Sequence, residues 1–314
     1  MDRMLQIEGL TKRFGEFTAV DGISFSVDRG EVLGFLGPNG AGKTTAMRMV
    51  TGFLPPTAGT AYVCGNDVSL APIAVKSYIG YLPEGAPLYE DMTPVELLGF
   101  VADVRGLSGA DKDRAIDRAA EAINIGPVMR QSIGTLSKGY KRRVGIAQAI
   151  LHDPDVLILD EPTDGLDPNQ KHEVRRLINE MSENKVIVIS THLLEEVEVV
   201  CSRAIVIARG RVVADGSPAE LEARSIYHNA VTVRLDAGQL ENGKSRMEAL
   251  AEVDRVELSV EYGAANELVA FAKDGKVIVD AVGAALTESG ISVHEIRSER
   301  GRLDEVFRRI TTAA

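Results

Sequence analysis

Only two cysteines, Cys64 and Cys201, occur in the 314 residues, and no metal-ligand spacing relates them. That excludes a disulfide framework and a zinc site as organising features, and a reducing, cytoplasmic compartment is expected. No stretch reaches the ~18 consecutive apolar residues that cross a bilayer, so any service to a membrane must run through a partner. Residues 1–15 mix polar and apolar side chains without the apolar core of a signal peptide, and no export signal is expected. Basic residues are outnumbered, 35 Lys and Arg against 46 Asp and Glu, for a formal net charge of −11. Nucleic acid is therefore not expected as the main partner, because phosphate backbones are held by clustered cations. Internal repeats and low-complexity segments are also missing. What remains, 45% hydrophobic and 26% charged, is the composition of a folded globular protein long enough for one large domain and a small one.

From Leu5 to Val27 apolar and polar residues alternate around Gly15 and Gly22, which predicts antiparallel strands joined by turns. Glu31 to Leu36 then reads as a short apolar strand, followed by a glycine-rich loop and a helix from Thr44 to Thr51. Residues 91–150 form a helical insertion; within it, 111–125 carries Ala115, Ile116, Ala119, Ala120 and Ile123 at helical spacing. The unbroken apolar runs Val156 to Leu159 and Val186 to Ile189 suit strands buried on both faces of a parallel sheet, with 169–182 as the crossover helix between them. The pattern loosens near residues 216–225, and a domain boundary is placed after residue 222. Beyond it the expected order is strand 231–235, helix 246–251, strands 256–260 and 268–271, helix 277–286 and strand 291–296. This is the β-α-β-β-α-β order of a ferredoxin-like domain, followed by a last helix, 303–310, with an apolar stripe.

The strongest local signal is Gly37-Pro38-Asn39-Gly40-Ala41-Gly42-Lys43-Thr44, a phosphate-loop pattern between a predicted strand and a predicted helix. Its glycines let successive N–H groups turn toward phosphates, and the helix adds its positive end. Residues Gly37 through Thr45 are thus candidate ATP contacts. Lys43 is expected on the β- and γ-phosphates, with a catalytic part, and the Thr44 hydroxyl on Mg²⁺. The second signal is the acidic end of the strand Val156 to Glu161. Ligands bind at the carboxyl ends of strands in open α/β sheets, so Asp160 is expected to hold Mg²⁺ and Glu161 to act as general base toward water.

Just ahead of that strand stands Leu136-Ser137-Lys138-Gly139-Tyr140, which resembles the ABC signature, usually LSGGQ. Together with Phe14 in KRFG, the YLPE segment, the GLDP turn and His192 after an apolar strand, it makes residues 3 to about 222 similar to an ABC ATPase. The resemblance implies a phosphate-loop parallel sheet with an antiparallel N-terminal subdomain and the helical insertion, plus the ferredoxin-like accessory domain at 223–314. It implies that Phe14 stacks on adenine and that Ser137 and Gly139 bind the γ-phosphate of a nucleotide held by the opposite subunit. Asp167 is implied at that same interface, and His192 on the γ-phosphate. Two departures stand out. Glu84 occupies the position where most relatives have Gln, bringing a further charge to the Mg²⁺ site, and Lys138 and Tyr140 replace Gly and Gln in the signature.

YLPE with LSKGY resembles a branch of bacterial exporter ATPases that includes gliding-associated and multidrug-like systems, and the tail GRLDEVFRRIT resembles their C-terminal extension. The expected protein is an ATP-hydrolysing transporter subunit, peripheral at the inner face of the cell membrane. Its partners are an integral membrane permease, docked on residues 84–92 and the helical insertion, and a second copy of itself or a related ABC ATPase. Importers, and non-transport ABC ATPases acting on DNA or ribosomes, are the alternatives. The span 45–135 holds no sustained heptads of the DNA-repair type, and the chain has one cassette where translation factors have two.

Overall fold

The structure, a computed structural model, describes residues 3–85, 88–259 and 266–313. Two compact units part between Ser217 and Pro218, ahead of the boundary expected after residue 222. The short helix at 218–222 belongs to the second unit because Gly301 packs directly on the Glu222 carbonyl, where a Cβ would collide.

The first unit opens with a hairpin of β1 (Arg3–Phe14) and β2 (Phe17–Asp28). Gly15 makes the turn, at φ 59°. Gly22 does not: it lies inside β2 at φ 66°, where the pairing slips between Leu10↔Ile23 and Lys12↔Val20. It is a bulge position, its N–H taken by the Thr11 hydroxyl at 3.0 Å, and glycine supplies the positive φ there. With β4 (Ala58–Val63) and β5 (Asn66–Asp67) the hairpin forms an antiparallel sheet in the order β2-β1-β4-β5.

The second sheet of this unit runs β10-β9-β3-β8-β7-β6. Its members are β3 (Val32–Leu36), β6 (Ile79–Leu82), β7 (Val156–Asp160), β8 (Val186–Thr191), β9 (Arg203–Ala208) and β10 (Arg211–Gly216). All pairs are parallel except β9–β10. Every residue of β3, β7 and β8 is buried, which explains their continuous apolar runs: helices or sheet cover both faces. The helices are α1 (Lys43–Val50), α2 (Pro72–Tyr78), α3 (Pro94–Val104), α4 (Gly109–Ala122), α5 (Lys138–Ile150), α6 (Pro168–Ser182) and α7 (Leu194–Val200). The helix expected over 111–125 ends earlier, because Asn124 takes the left-handed conformation at φ 56°. Its apolar positions Ala115, Ile116, Ala119 and Ala120 are buried as the spacing requires.

The second unit contains α8 (Pro218–Glu222), β11 (Val231–Leu235), α9 (Leu240–Glu248), β12 (Val253–Leu258), β13 (Glu267–Ala272), α10 (Val279–Glu288), β14 (Val293–Ser298) and α11 (Leu303–Ala313). The sheet order β12-β13-β11-β14, all antiparallel, is the ferredoxin-like arrangement. Val231, Val233, Leu235, Met247, Val282 and Leu286 form its core. Helix α9 starts six residues before the helix expected at 246, which is the difference between Leu240 and Arg246. Gly243 lets the helix press onto the Leu235 side chain. The strand expected over 256–260 is found at Val253–Leu258, and Val260 lies outside the described residues.

Candidate functional site

Parallel order brings the ends of β3, β7 and β8 side by side. Leu36 pairs Thr191, and Asp160 pairs Ser190. From β3 the chain enters the glycine loop, which is tight by construction. A Cβ at Gly37 would meet the Ile207 carbonyl and one at Gly42 the Ala19 carbonyl, while Gly40 and Gly42 hold φ of 80° and 105°. Only glycine fits these positions. The loop delivers Lys43 and Thr44 in the first turn of α1, whose backbone N–H groups have no intrahelical acceptors and point into the loop.

A cavity of about 430 Å³ opens over this loop, lined by Asn39 through Thr45, Glu84, Asp160, Glu161, Ala19 and Phe17. The Thr44 hydroxyl donates to Asp160 Oδ2 at 3.1 Å, and Asp160 is buried. Lys43 Nζ donates to the Gly37 carbonyl at 2.6 Å and to that of Pro38 at 3.4 Å. Burial pushes the Lys43 pKa down, while the charges of Glu161, Asp160 and Glu84 pull the other way. Glu161 Oε1 lies 2.8 Å from His192 Nδ1, and its Oε2 accepts from the Thr191 hydroxyl at 3.4 Å. The carboxylate is thus aimed by two residues at the end of β8.

Thr44 and Asp160 present hard oxygen donors side by side, and Glu84 faces the same space. Among the described residues no three His, Cys, Asp or Glu side chains converge as a ready metal cage. The donor set therefore suits a cation that keeps waters and takes oxygens from a phosphate ligand, which is how Mg²⁺ is ordinarily held.

Not every expected residue comes to this cavity. Gly37 and Pro38 meet Lys43 through their carbonyls but are not among the lining residues. Phe14 is also outside the lining, with its ring against Lys12 Nζ at 5.3 Å. Its hairpin partner Phe17 lines the cavity instead and is 64% exposed. Both rings stand at the turn end of the β1–β2 hairpin.

Ser137, Gly139 and Asp167 form a second cluster. Ser137 caps α5 by accepting from the Tyr140 N–H at 3.3 Å, and Asp167 caps α6 by accepting from the Gln170 N–H at 2.9 Å. Gly139 sits so close to the Gln170 side chain that a Cβ would collide with its Oε1. Lys138 pairs with Asp164 at 2.9 Å, both well exposed, an ion pair of small worth. None of the three lines the Lys43 cavity.

One residue escaped the sequence reading. Arg142, 5% exposed, donates to the carbonyls of Asp160, Glu161, Pro162 and Pro83. Glu161 holds φ 52°, a left-handed conformation unusual for a non-glycine residue, so Arg142 clamps a strained turn. Burial lowers the Arg142 pKa, and Asp164, Asp160, Glu161 and Glu84 oppose that shift. A signal existed: Arg142 precedes the buried Ile146 and Ala149 by four and seven residues, which puts it on the buried face of α5.

A glycine loop feeding a helix, with paired carboxylates at the end of a parallel strand one place removed in the same sheet, makes this a nucleoside-triphosphate site of the phosphate-loop type. The chain belongs to the ATP-binding subunits of ABC transporters, and the model of the ABC transporter family matches residues 20–164. It is 36% identical over 314 residues to a Nod factor export ATP-binding protein I of Ralstonia nicotianae, covering 98% of this chain and 94% of that one. It is 31% identical to the linearmycin resistance ATP-binding protein LnrL of Bacillus subtilis, with 98% of each covered. To the probable multidrug ABC transporter ATP-binding protein YbhF of Escherichia coli it is 38% identical over 71% of this chain but only 39% of that protein's length. Among solved structures, cbiO1 of Clostridium perfringens, part of an ABC transporter complex, matches 71% of this chain and 92% of its own, with a TM-score of 0.65 at 30% identity.

Proposed function

We propose that this chain binds MgATP, hydrolyses it as a dimer of cassettes, and powers export through a separate membrane permease at the inner face of the membrane. The observation that carries the dimer is the separation of two groups of site residues within one chain. Lys43, Thr44, Asp160 and Glu161 gather at one cavity, while Ser137, Gly139 and Asp167 gather outside it. Helix α5 is capped by Ser137, so its free N–H groups and the Ser137 hydroxyl form an anion-binding end that needs a nucleotide supplied by a second cassette. Each nucleotide then lies between the phosphate loop of one copy and the signature of the other. Either a second copy of this chain or a related ABC ATPase meets that requirement.

Within the cavity the residues divide the work. Loop N–H groups and Lys43 hold the phosphates, and Thr44 and Asp160 hold the Mg²⁺, with Glu84 beside them. The ion, when bound, offsets phosphate charge. Glu161 accepts the proton of the attacking water as its oxygen bonds to phosphorus. His192, already hydrogen-bonded to Glu161, keeps that carboxylate aimed and turns toward the terminal phosphate when the dimer closes. Phe17 and Phe14 offer flat apolar faces to the base.

Docking to the permease is assigned to the side of the first unit where Phe53, Ile73, Tyr89, Phe100 and Val104 stand exposed along adjoining cavities of about 640 and 520 Å³. Such a contiguous apolar patch marks an interaction surface. Export is supported by the names of the relatives matched over nearly the full length, for Nod factor export and linearmycin resistance. Their cargoes differ, so no cargo is assigned.

Two experiments test the reading. Affinity purification from native membranes, with mass spectrometry, is expected to recover a stoichiometric multi-helix protein; recovery with ribosomes or DNA would move the chain to a non-transport role. Glu161→Gln is expected to bind ATP, accumulate as a dimer and lose turnover by a factor of roughly 10²–10⁴, the usual worth of a general base. Unchanged turnover would remove Glu161 from that role.

A further inference from the structure

The nucleotide cavity is short of positive charge. Among its lining residues Lys43 is the one cationic side chain, against the carboxylates of Glu84, Asp160 and Glu161. A triphosphate brings more negative charge than one Mg²⁺, Lys43 and the positive end of α1 offset. A further cation facing the terminal phosphate would therefore act strongly once water is excluded.

The signature carries cations where a helix least favours them. Helix α5 begins Lys138-Gly139-Tyr140-Lys141-Arg142-Arg143 with no acid in its first turn, although the N-terminal end of a helix is already positive. Three of the four are occupied. Lys141 pairs with Glu90 at 2.8 Å, Arg143 is buried against Glu173 at 2.8 Å, and Arg142 holds its four carbonyls.

Lys138 differs from these three. Its Nζ meets Asp164 at 2.9 Å, and the two side chains are 71% and 56% exposed. Its stem lies across Gly165, where a Cβ would strike Lys138 Cδ, so the loop after β7 leaves that path clear. An exposed pair of this kind is worth little, and Lys138 can exchange its partner at small cost. Asp164 is not stranded by the exchange, because it is solvated and the charges of Arg142 and His192 also favour its ionised form.

We propose that Lys138 is a phosphate-binding residue supplied in trans: when two cassettes close, it leaves Asp164 and donates to the terminal phosphate held in the other cassette's cavity. The role rests on the dimer reading above, in which Ser137 and Gly139 face that phosphate; Lys138 stands between them at the same end of α5. A lysine ammonium, a compact charge on a flexible stem, suits a contact that must form on closing and release on opening. ADP lacks the phosphate that would draw Lys138 from Asp164.

The test is MgATP-driven dimerisation of the full-length protein in the Glu161→Gln background, followed by light scattering, with Lys138→Gln, Lys138→Arg and Asp164→Asn added singly. K138Q is expected to raise the ATP concentration at half-dimerisation by about 5–30-fold, the worth of a charge-assisted hydrogen bond less the exposed pair it replaces. MgATP binding to the dilute monomer should not change, since Lys138 does not line the cavity of its own chain. K138R keeps the charge and should stay within about 3-fold of the parent. D164N separates this role from a plain latch between the signature and the loop after β7. A latch predicts the same loss as in K138Q, whereas a freed Lys138 predicts a half-dimerisation point equal to the parent's or as much as about 5-fold lower. The proposal is overturned if K138Q dimerises at the parent's ATP concentration, if it loses monomer binding equally, or if K138R or D164N fails as K138Q does. Should E161Q itself stay monomeric at saturating MgATP, the dimer reading falls first, and the role of Lys138 with it.

Discussion

Replacing Arg142 by methionine probes the clamp beneath the catalytic turn. Arg142 donates to four carbonyls, those of Asp160, Glu161, Pro162 and Pro83, from a nearly fully buried position. Hydrogen bonds from a charged donor contribute about 1.5–3 kcal/mol each, and a buried carbonyl left unpaired costs about 1–3 kcal/mol. Four such bonds would sum to far more than the net effect, because the guanidinium is itself pushed toward neutrality by burial, a cost that methionine removes. Some of the carbonyls will also recover solvent once the side chain is shortened. The balance is a loss of about 2–4 kcal/mol, which for a unit of this size lowers Tm by roughly 4–16 °C. Turnover should fall further than stability, since Glu161 at φ 52° relies on the clamp to stay in a conformation that costs about 1–3 kcal/mol by itself. Thermal unfolding and steady-state ATPase assays on R142M and R142K measure both effects, and lysine, with one donor head, should fall between. A methionine variant within about 0.5 kcal/mol of wild type and with unchanged kcat would refute the clamp.

Two further outcomes are expected. His152 is held near a pKa of about 4 by burial and by Arg105, so it is neutral in the native state. The unfolded chain binds its proton first as pH falls, so stability present above about 6.5 is lost between there and about 4, by roughly 2 kcal/mol after allowance for solvent screening; His152→Gln should flatten that acid limb in pH-dependent melts. At the nucleotide base, Phe17→Ala is expected to weaken ATP binding by about 3–10-fold, the worth of one lost aromatic contact, and more than Phe14→Ala does, because Phe17 lines the cavity. A larger effect of Phe14→Ala in a nucleotide titration would return the main stacking role to Phe14.

Much of the site was readable because it is local. The phosphate loop is eight consecutive residues whose glycines are demanded by backbone conformation and close approach, and the acidic pair follows a run of apolar residues that can only be a buried strand. Helical periodicity located α4, and alternation located the hairpin, though the bulge at Gly22 could not be told from a turn because both need a positive φ.

Sequence by itself determined the chemistry on offer: a triphosphate loop, a Mg²⁺-type oxygen pair, an acid after a strand, a serine-led signature. Those features are set by residue type and spacing along one stretch of chain. Tertiary structure alone decided which residues meet. It set Phe17 and not Phe14 against the cavity, drew Arg142 from α5 across to the carbonyls after β7, and kept the signature cluster apart from Lys43. Contacts between residues far apart in sequence follow from the order and tilt of strands and helices, which a single stretch of sequence does not encode.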